Sequence, residues 1–158
     1  MIADYFTVDT LDMLLKLTAA LFLGMSLGVE RALAGKTAGM RTYGLVTMGS
    51  ALFTIISVIA AGGLTTPDAV RESLRFSSQV LPGIGFIGAG LIIFRGSKVS
   101  GVTTAAGIWV AAGIGVAIGY GLYMLALATT IFVLVIFTGF WYVENKVKSL
   151  AHLSQEED

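Results

Sequence analysis

Pro82-Gly83-Ile84-Gly85-Phe86-Ile87-Gly88-Ala89-Gly90 is the stretch whose reading decides the fold. It contains G-x-G-x-x-G. In a dinucleotide-binding protein that pattern follows a strand, opens an amphipathic helix and is joined about 20 residues later by an acid that holds the ribose. Here a proline precedes the pattern, and no Asp or Glu occurs between Glu72 and Glu144. The surrounding run is apolar and long enough to cross a bilayer. The nucleotide reading is excluded and a membrane reading replaces it.

The rest of the chain agrees. Of its 158 residues, 56% are hydrophobic and 13% charged, about half the charged share of a soluble domain, and the mean hydropathy is +0.86. Between Lys98 and Glu144 lie 45 residues with no Asp, Glu, Lys or Arg. As helix they would span roughly 68 Å, enough for two passes through a hydrocarbon core of about 30 Å. The absence of cysteine excludes disulfides, thiolate metal sites and thiol redox chemistry. Asp4, Asp9 and Asp12 stand where a signal peptide would be basic, so the first apolar run is expected to be retained.

Charges and turn residues divide the sequence into five candidate membrane helices, at about 11–29, 43–64, 76–94, 102–118 and 122–143. The fold expected is all-α and polytopic, with one transmembrane domain over 1–145 and a short tail over 146–158. Gly119-Tyr120-Gly121 forces the last two helices into an antiparallel hairpin. Arg31, Lys36, Arg41, Arg95, Lys98, Lys146 and Lys148 fall on one side, against Arg71, Arg75 and Lys16 on the other. The positive-inside rule then places the N-terminus outside and the C-terminus in the cytoplasm. Tyr5, Phe6, Tyr120 and Tyr123 are expected as anchors at one interface, and Tyr43, Trp141 and Tyr142 at the other. His152 is the sole histidine and reads as a solvated tail residue.

In lipid, small residues that let backbones approach favour helix association. Gly24 and Gly28 form one such pair, and Gly107, Ala111, Gly115 and Gly119 recur every four residues on the fourth helix. Packing within the monomer and a face for a partner are both open. The third helix differs: Gly83, Gly85, Gly88 and Gly90 do not share a stripe, and Pro82 removes a backbone donor. A densely packed helix and an interrupted one, of the kind transporters place at binding sites, are the two readings. On the second helix Thr47, Ser50, Thr54 and Ser57 share a face, either as a polar path or bonded back to their own carbonyls. Trp109, near the centre of the fourth helix, needs a buried acceptor and is expected to bond across helices.

The loop over 30–42 is the densest polar region. Its Gly35-Lys36-Thr37 lacks the earlier glycine of a P-loop, since Glu30 stands there. A charge run at a helix end usually makes an ordinary topogenic loop, but Glu30, close to three basic residues at the membrane edge, is an expected ion-paired or functional centre. Asp68, Arg71, Glu72 and Arg75 follow Pro67 on an expected short helix, at spacings that allow salt bridges.

At these residues the chain resembles the MgtC/SapB (YhiD-like) family of bacterial inner-membrane proteins. The resemblance rests on three blocks: Gly24, Gly28, Glu30, Arg31, Gly35, Lys36, Ala38, Gly39, Arg41 and Thr42; Arg75, Gln79 and the run from Gly83 to Gly90; and Gly96, Gly101, Thr103-Thr104-Ala105-Ala106, Ile108-Trp109, Ala111-Ala112, Gly115 and Gly119. It implies a multi-pass protein linked to magnesium homeostasis, described as a transporter or transport-associated factor. In some members it implies a virulence role and restraint of the F-type ATP synthase. The chain departs from longer members in stopping before their C-terminal cytoplasmic domain, and in having Pro82 and Val102 where serine and leucine are typical.

The functional expectation is therefore a non-enzymatic regulator in magnesium or ion homeostasis, acting through intramembrane helix contacts. The alternative is a transporter or channel for Mg²⁺ or another ion or small solute. The expected polar framework is Glu30, Arg31, Lys36, Arg41, Arg75, Gln79 and Trp109, with Gly83, Gly85, Gly88 and Gly90 shaping the core. No catalytic constellation, cofactor or nucleic-acid partner is expected, and no metal-ligand set is assigned. The bilayer, a membrane-protein partner and a second copy of the chain are the expected partners.

Overall fold

The computed structural model describes residues 8–140 and Lys146. The expected anchors Tyr5, Phe6, Trp141 and Tyr142, together with Lys148 and His152, lie outside the described residues. In chain order the elements are α1 (Val8–Leu33), α2 (Met40–Ala60), α3 (Pro67–Ser77), α4 (Val80–Leu91), β1 (Ile93–Arg95), β2 (Lys98–Ser100), α5 (Val102–Gly119) and α6 (Tyr123–Val135). A π-helical turn, Ile136–Phe140, continues α6. Four stretches are long and apolar enough to cross a membrane: Thr10–Leu33, Met40–Ala60, Val102–Gly119 and Tyr123–Phe140. This is a multi-pass membrane protein.

The third expected helix, 76–94, is not a continuous element. Its beginning belongs to α3, its middle forms α4, and its end enters a β-hairpin. Thr66 caps α3 by accepting from the Ala69 N–H at 3.2 Å, and Pro67 occupies the first turn, where no N–H is needed. Pro82 explains the break that follows. It cannot donate to the Ser78 carbonyl, and its ring would collide with that carbonyl in an unbroken helix. Restarting at Val80 puts Pro82 in the first turn of α4, where the missing donor costs nothing. The 12 residues of α4 make a rod of roughly 18 Å, shorter than the hydrocarbon core.

A hairpin of two three-residue strands follows α4 in an otherwise helical fold, which keeps the all-α class. Arg95 pairs with Lys98, leaving the two-residue turn Gly96-Ser97, and Gly96 takes φ +60°. Positive φ at the first turn position matches the right-handed twist of the strands.

Helix directions follow from contacts at the two ends of the bundle. Tyr43, at the start of α2, reaches the Thr104 carbonyl at the start of α5. At the other end Gly119 lies against Thr54. The helices α2 and α5 therefore run parallel, and the segment 61–101 returns the chain between them. In contrast, α1 is antiparallel to α2 (Gly28 faces Met40, and Gly24 faces Thr47), and α6 is antiparallel to α5 (Phe137 faces Gly107).

The core is an α1–α2–α5 contact built on missing side chains. A Cβ on Gly115 would overlap the Thr47 carbonyl oxygen; one on Gly119 would come within 2.5 Å of Thr54 Cβ; one on Gly28 would come within 2.5 Å of Met40 Cα. Ala111 and Ala112 are fully buried beside them. The recurring small residues of α5 are thus spent inside the chain and are not a free face for a partner. Gly83, Gly85 and Gly90 are the reverse: nothing lies within 4 Å of an added Cβ, and only Gly88 approaches a neighbour, the Ala105 methyl at 3.7 Å.

These two environments predict opposite responses to one methyl group. Gly115→Ala should lower stability by about 1–3 kcal/mol, the usual cost of overpacking. Gly83→Ala should raise it by up to about 1 kcal/mol through helix propensity alone. Thermal unfolding of both variants in the same detergent checks the pair; equal shifts would contradict the packing described.

Candidate functional site

Arg31, on the last turn of α1, is 4% exposed although charged. Its guanidinium donates to both carboxylate oxygens of Glu30, with Nη2 to Oε1 at 2.7 Å and Nε to Oε2. Nη2 also reaches the Phe137 carbonyl at 3.4 Å, and the guanidinium carbon stacks 3.7 Å from the centroid of the Phe137 ring. The planar fork suits this use, because one face stacks while the edge binds a carboxylate. Phe137 and the Tyr43 hydroxyl close over Gly107, which leaves the space for both. Tyr43 is fully buried and donates to the Thr104 carbonyl at 3.3 Å. The ion pair therefore ties α1 to the end of α6, beside the Tyr43 bond that ties α2 to α5.

The other members of the expected polar framework are not gathered here. Lys36 and Arg41 are exposed on the connection after α1 and at the start of α2. Arg75 lies on α3, by the opposite end of α2, and pairs with Glu72 at 3.8 Å. Gln79 is exposed between α3 and α4. Trp109 corrects an expectation: it is 53% exposed on the outward face of α5, and among the described residues its indole N–H has no hydrogen bond.

The hydroxyl face of α2 is buried, and three of its four hydroxyls are bonded back to their own helix. Thr47 donates to the Tyr43 carbonyl at 2.9 Å, Thr54 to Ser50 at 2.9 Å, and Ser57 to Thr54 at 2.7 Å. These bonds favour the self-bonded reading over a polar path. Ser57 starts a second cluster that the sequence did not reveal. Its hydroxyl lies 3.0 Å from that of Ser73, which lies 3.1 Å from the Tyr120 hydroxyl, and Ser77 is 2.7 Å from the same Tyr120 oxygen. Ser73 and Ser77, four apart on the otherwise charged α3, were the available signal.

An apolar groove of about 590 Å³ runs between α2 and the α3–α4 junction. Leu45, Gly49, Phe53 and Ile56 form one wall, and Phe76, Val80, Gly83 and Ile87 the other, with Ser50 and Gln79 as its polar members. Among the described residues no three His, Cys, Asp or Glu side chains gather as a metal site.

Comparison with known proteins places this architecture. The MgtC family matches residues 17–146. The chain belongs to the MgtC family. It is 41% identical over 155 residues to protein SrpB of Synechococcus elongatus, covering 93% of this chain and 82% of that protein. It is 40% identical to the putative magnesium transporter YhiD of Escherichia coli K12, covering 83% of this chain and 61% of that one. It is also 43% identical to protein MgtC of Salmonella typhimurium over 77% of this chain and 49% of MgtC. The chain thus spans most of SrpB but about half to three fifths of these other two relatives. No solved structure matches.

Three substitutions test the polar anchors of this MgtC-family fold. Glu30→Gln leaves the Arg31 charge buried without its counter-ion and should cost about 3 kcal/mol, whereas adding Arg31→Met should recover part of that loss. Unfolding of the single and double variants measures both, and a Glu30→Gln protein as stable as the parent would contradict the role of the pair. Tyr120→Phe should cost about 1–3 kcal/mol through lost hydrogen bonds and speed amide exchange in α3 while leaving α1 unchanged. Unaltered exchange in α3 would contradict that anchoring.

Proposed function

We propose that this protein is a non-enzymatic regulator of magnesium or ion homeostasis in the bacterial inner membrane, acting on a membrane-protein partner through helix contacts. The observation that carries the reading is the sealed interior. The small residues of α5 close on the hydroxyl face of α2, where Thr47 and Thr54 are already bonded to their own helix. Glu30, the acid at the membrane edge, has both oxygens on Arg31. A conduit for Mg²⁺ needs oxygen ligands, usually with one or two carboxylates free to bind.

In this reading the chain crosses the membrane five times, with the N-terminus outside. The parallel run of α2 and α5 supports a fifth passage: α3, α4 and the hairpin together bring the chain back, and the length that α4 lacks is made up by its neighbours. The contact face is the outward side of α4 and α5, where Gly85, Phe86 and Trp109 are exposed. An indole N–H held in hydrocarbon without an acceptor is costly, and a partner helix supplying one relieves that cost. The F-type ATP synthase, linked to family members by resemblance, is the first partner to test, and a second copy of the chain is the next.

The alternative is transport of Mg²⁺ or another small solute, favoured by the name of the YhiD relative and by the broken α3–α4 segment. Purified protein in liposomes loaded with a magnesium-sensitive dye separates the two. The regulator reading expects Mg²⁺ entry equal to that of protein-free liposomes. Saturable entry that depends on correctly inserted protein would overturn it in favour of transport.

A further inference from the structure

We propose that the groove between α2 and α4 is a binding site for one anionic phospholipid, with its acyl portion between the helices and its phosphate at Arg75. The inference is independent of the regulator reading, since it concerns a different face of the molecule.

The groove is held open by the fold. The helix α4 leans on α5 through Gly88 and Ala105, while α3 is fixed to α2 and to the α5–α6 turn by the Ser57, Ser73, Tyr120 and Ser77 hydroxyls. Neither attachment draws α4 onto the outer half of α2. Two glycines, Gly49 on α2 and Gly83 on α4, line the opening, and nothing lies within 4 Å of an added Cβ at either. These glycines do not serve a close helix contact within the chain; what they provide is room.

The shape and lining of the groove suit an acyl chain. Leu45 and Ile56, the limits of the α2 wall, are separated by roughly 17 Å of helix. The groove follows α2 over that length, as an extended acyl chain laid along the helix does. The walls are almost entirely apolar, as an acyl chain requires.

The rim supplies the charge. Gln79 borders the groove, and Arg75 lies one turn before it, beside the lining residue Phe76. The Arg75 side chain is 79% exposed, and its ion pair with Glu72 is a long 3.8 Å, so most of its donors remain for a phosphate at the headgroup level. A lipid from the leaflet bordering α3 would thus place its phosphate at Arg75, its ester region near Gln79 and its chain along Gly83 and Gly49.

Native mass spectrometry of the full chain, released from detergent with dioleoylphosphatidylglycerol or dioleoylphosphatidylcholine, tests the site. The expected result is a single retained lipid, with phosphatidylglycerol preferred at least fivefold. Gly83→Leu or Gly49→Leu, which fill the groove without touching the packed core, should cut retention of both lipids at least fivefold. Gly113→Leu, at an equally open glycine outside the groove, should not. Arg75→Ala should abolish the preference for phosphatidylglycerol while chain retention persists, and circular dichroism of each variant confirms folding. Retention unchanged in both groove-filling variants would overturn the site. A preference that survives Arg75→Ala would overturn the headgroup assignment. A lipid-free dimer abolished by Gly83→Leu would replace the lipid with a second copy of the chain.

Discussion

The structure depends on the closeness of α5 to α2. Gly115 lies where any side chain would overlap the Thr47 carbonyl, and Gly119 does the same against Thr54. In lipid there is little hydrophobic drive to bring two apolar helices together, so the gain must come from dispersion over a tight surface. Removing side chains at four-residue intervals provides that surface. It also fixes the parallel course of the two helices, and with it the need for the segment between them to return the chain. The charged helix α3, the break at Pro82 and the short α4 all serve that return.

The polar groups of the bundle follow the same economy. A buried hydroxyl or guanidinium in such a setting needs a partner at once, because water is not at hand. Arg31 finds Glu30, the Phe137 carbonyl and the Phe137 ring; Tyr43 finds the Thr104 carbonyl; Thr47, Thr54 and Ser57 find their own helix. At the other end, Ser73 and Ser77 project from α3 onto Tyr120, so a helix with few apolar contacts is still docked. Polar anchors at both ends and glycine packing between them leave a sealed centre. The apolar groove between α2 and α4 lies outside that centre.

Much of this was legible in the sequence because the signals were local. Runs of apolar residues bounded by charge clusters or glycine turns marked α1, α2, α5 and α6, and the four-residue spacing of Gly107, Ala111, Gly115 and Gly119 marked the packed face. In the third segment Pro82 and the glycines marked an interrupted helix as one of two readings, and the structure takes it. The place of the break, at Ser78 and Gln79, was not marked because hydropathy measures oiliness, not continuity, and the strand pairing across Gly96-Ser97 carried no hydropathy signal. Glu30 and Arg31 could be flagged as a charged pair at a membrane edge. Phe137, 106 residues from Arg31, could not, since an apolar residue in an apolar helix carries no mark of what stacks on it. Trp109 failed for a related reason: its position along α5 was clear, but whether its side chain faced the bundle or the lipid was set by packing.

Because the chain contains no native cysteine, the sealed centre can be probed one position at a time. Thr47→Cys and Thr54→Cys, both at sites fully buried in the parent, can be treated in intact membranes with a membrane-impermeant thiol reagent, with Ser78→Cys on the exposed junction as the reactive reference. The account predicts labelling at 78 and none at 47 or 54. Labelling at 54 as fast as at 78, in a variant that still folds, would mean that water reaches the α2–α5 seam and would contradict the closed bundle on which the functional reading rests.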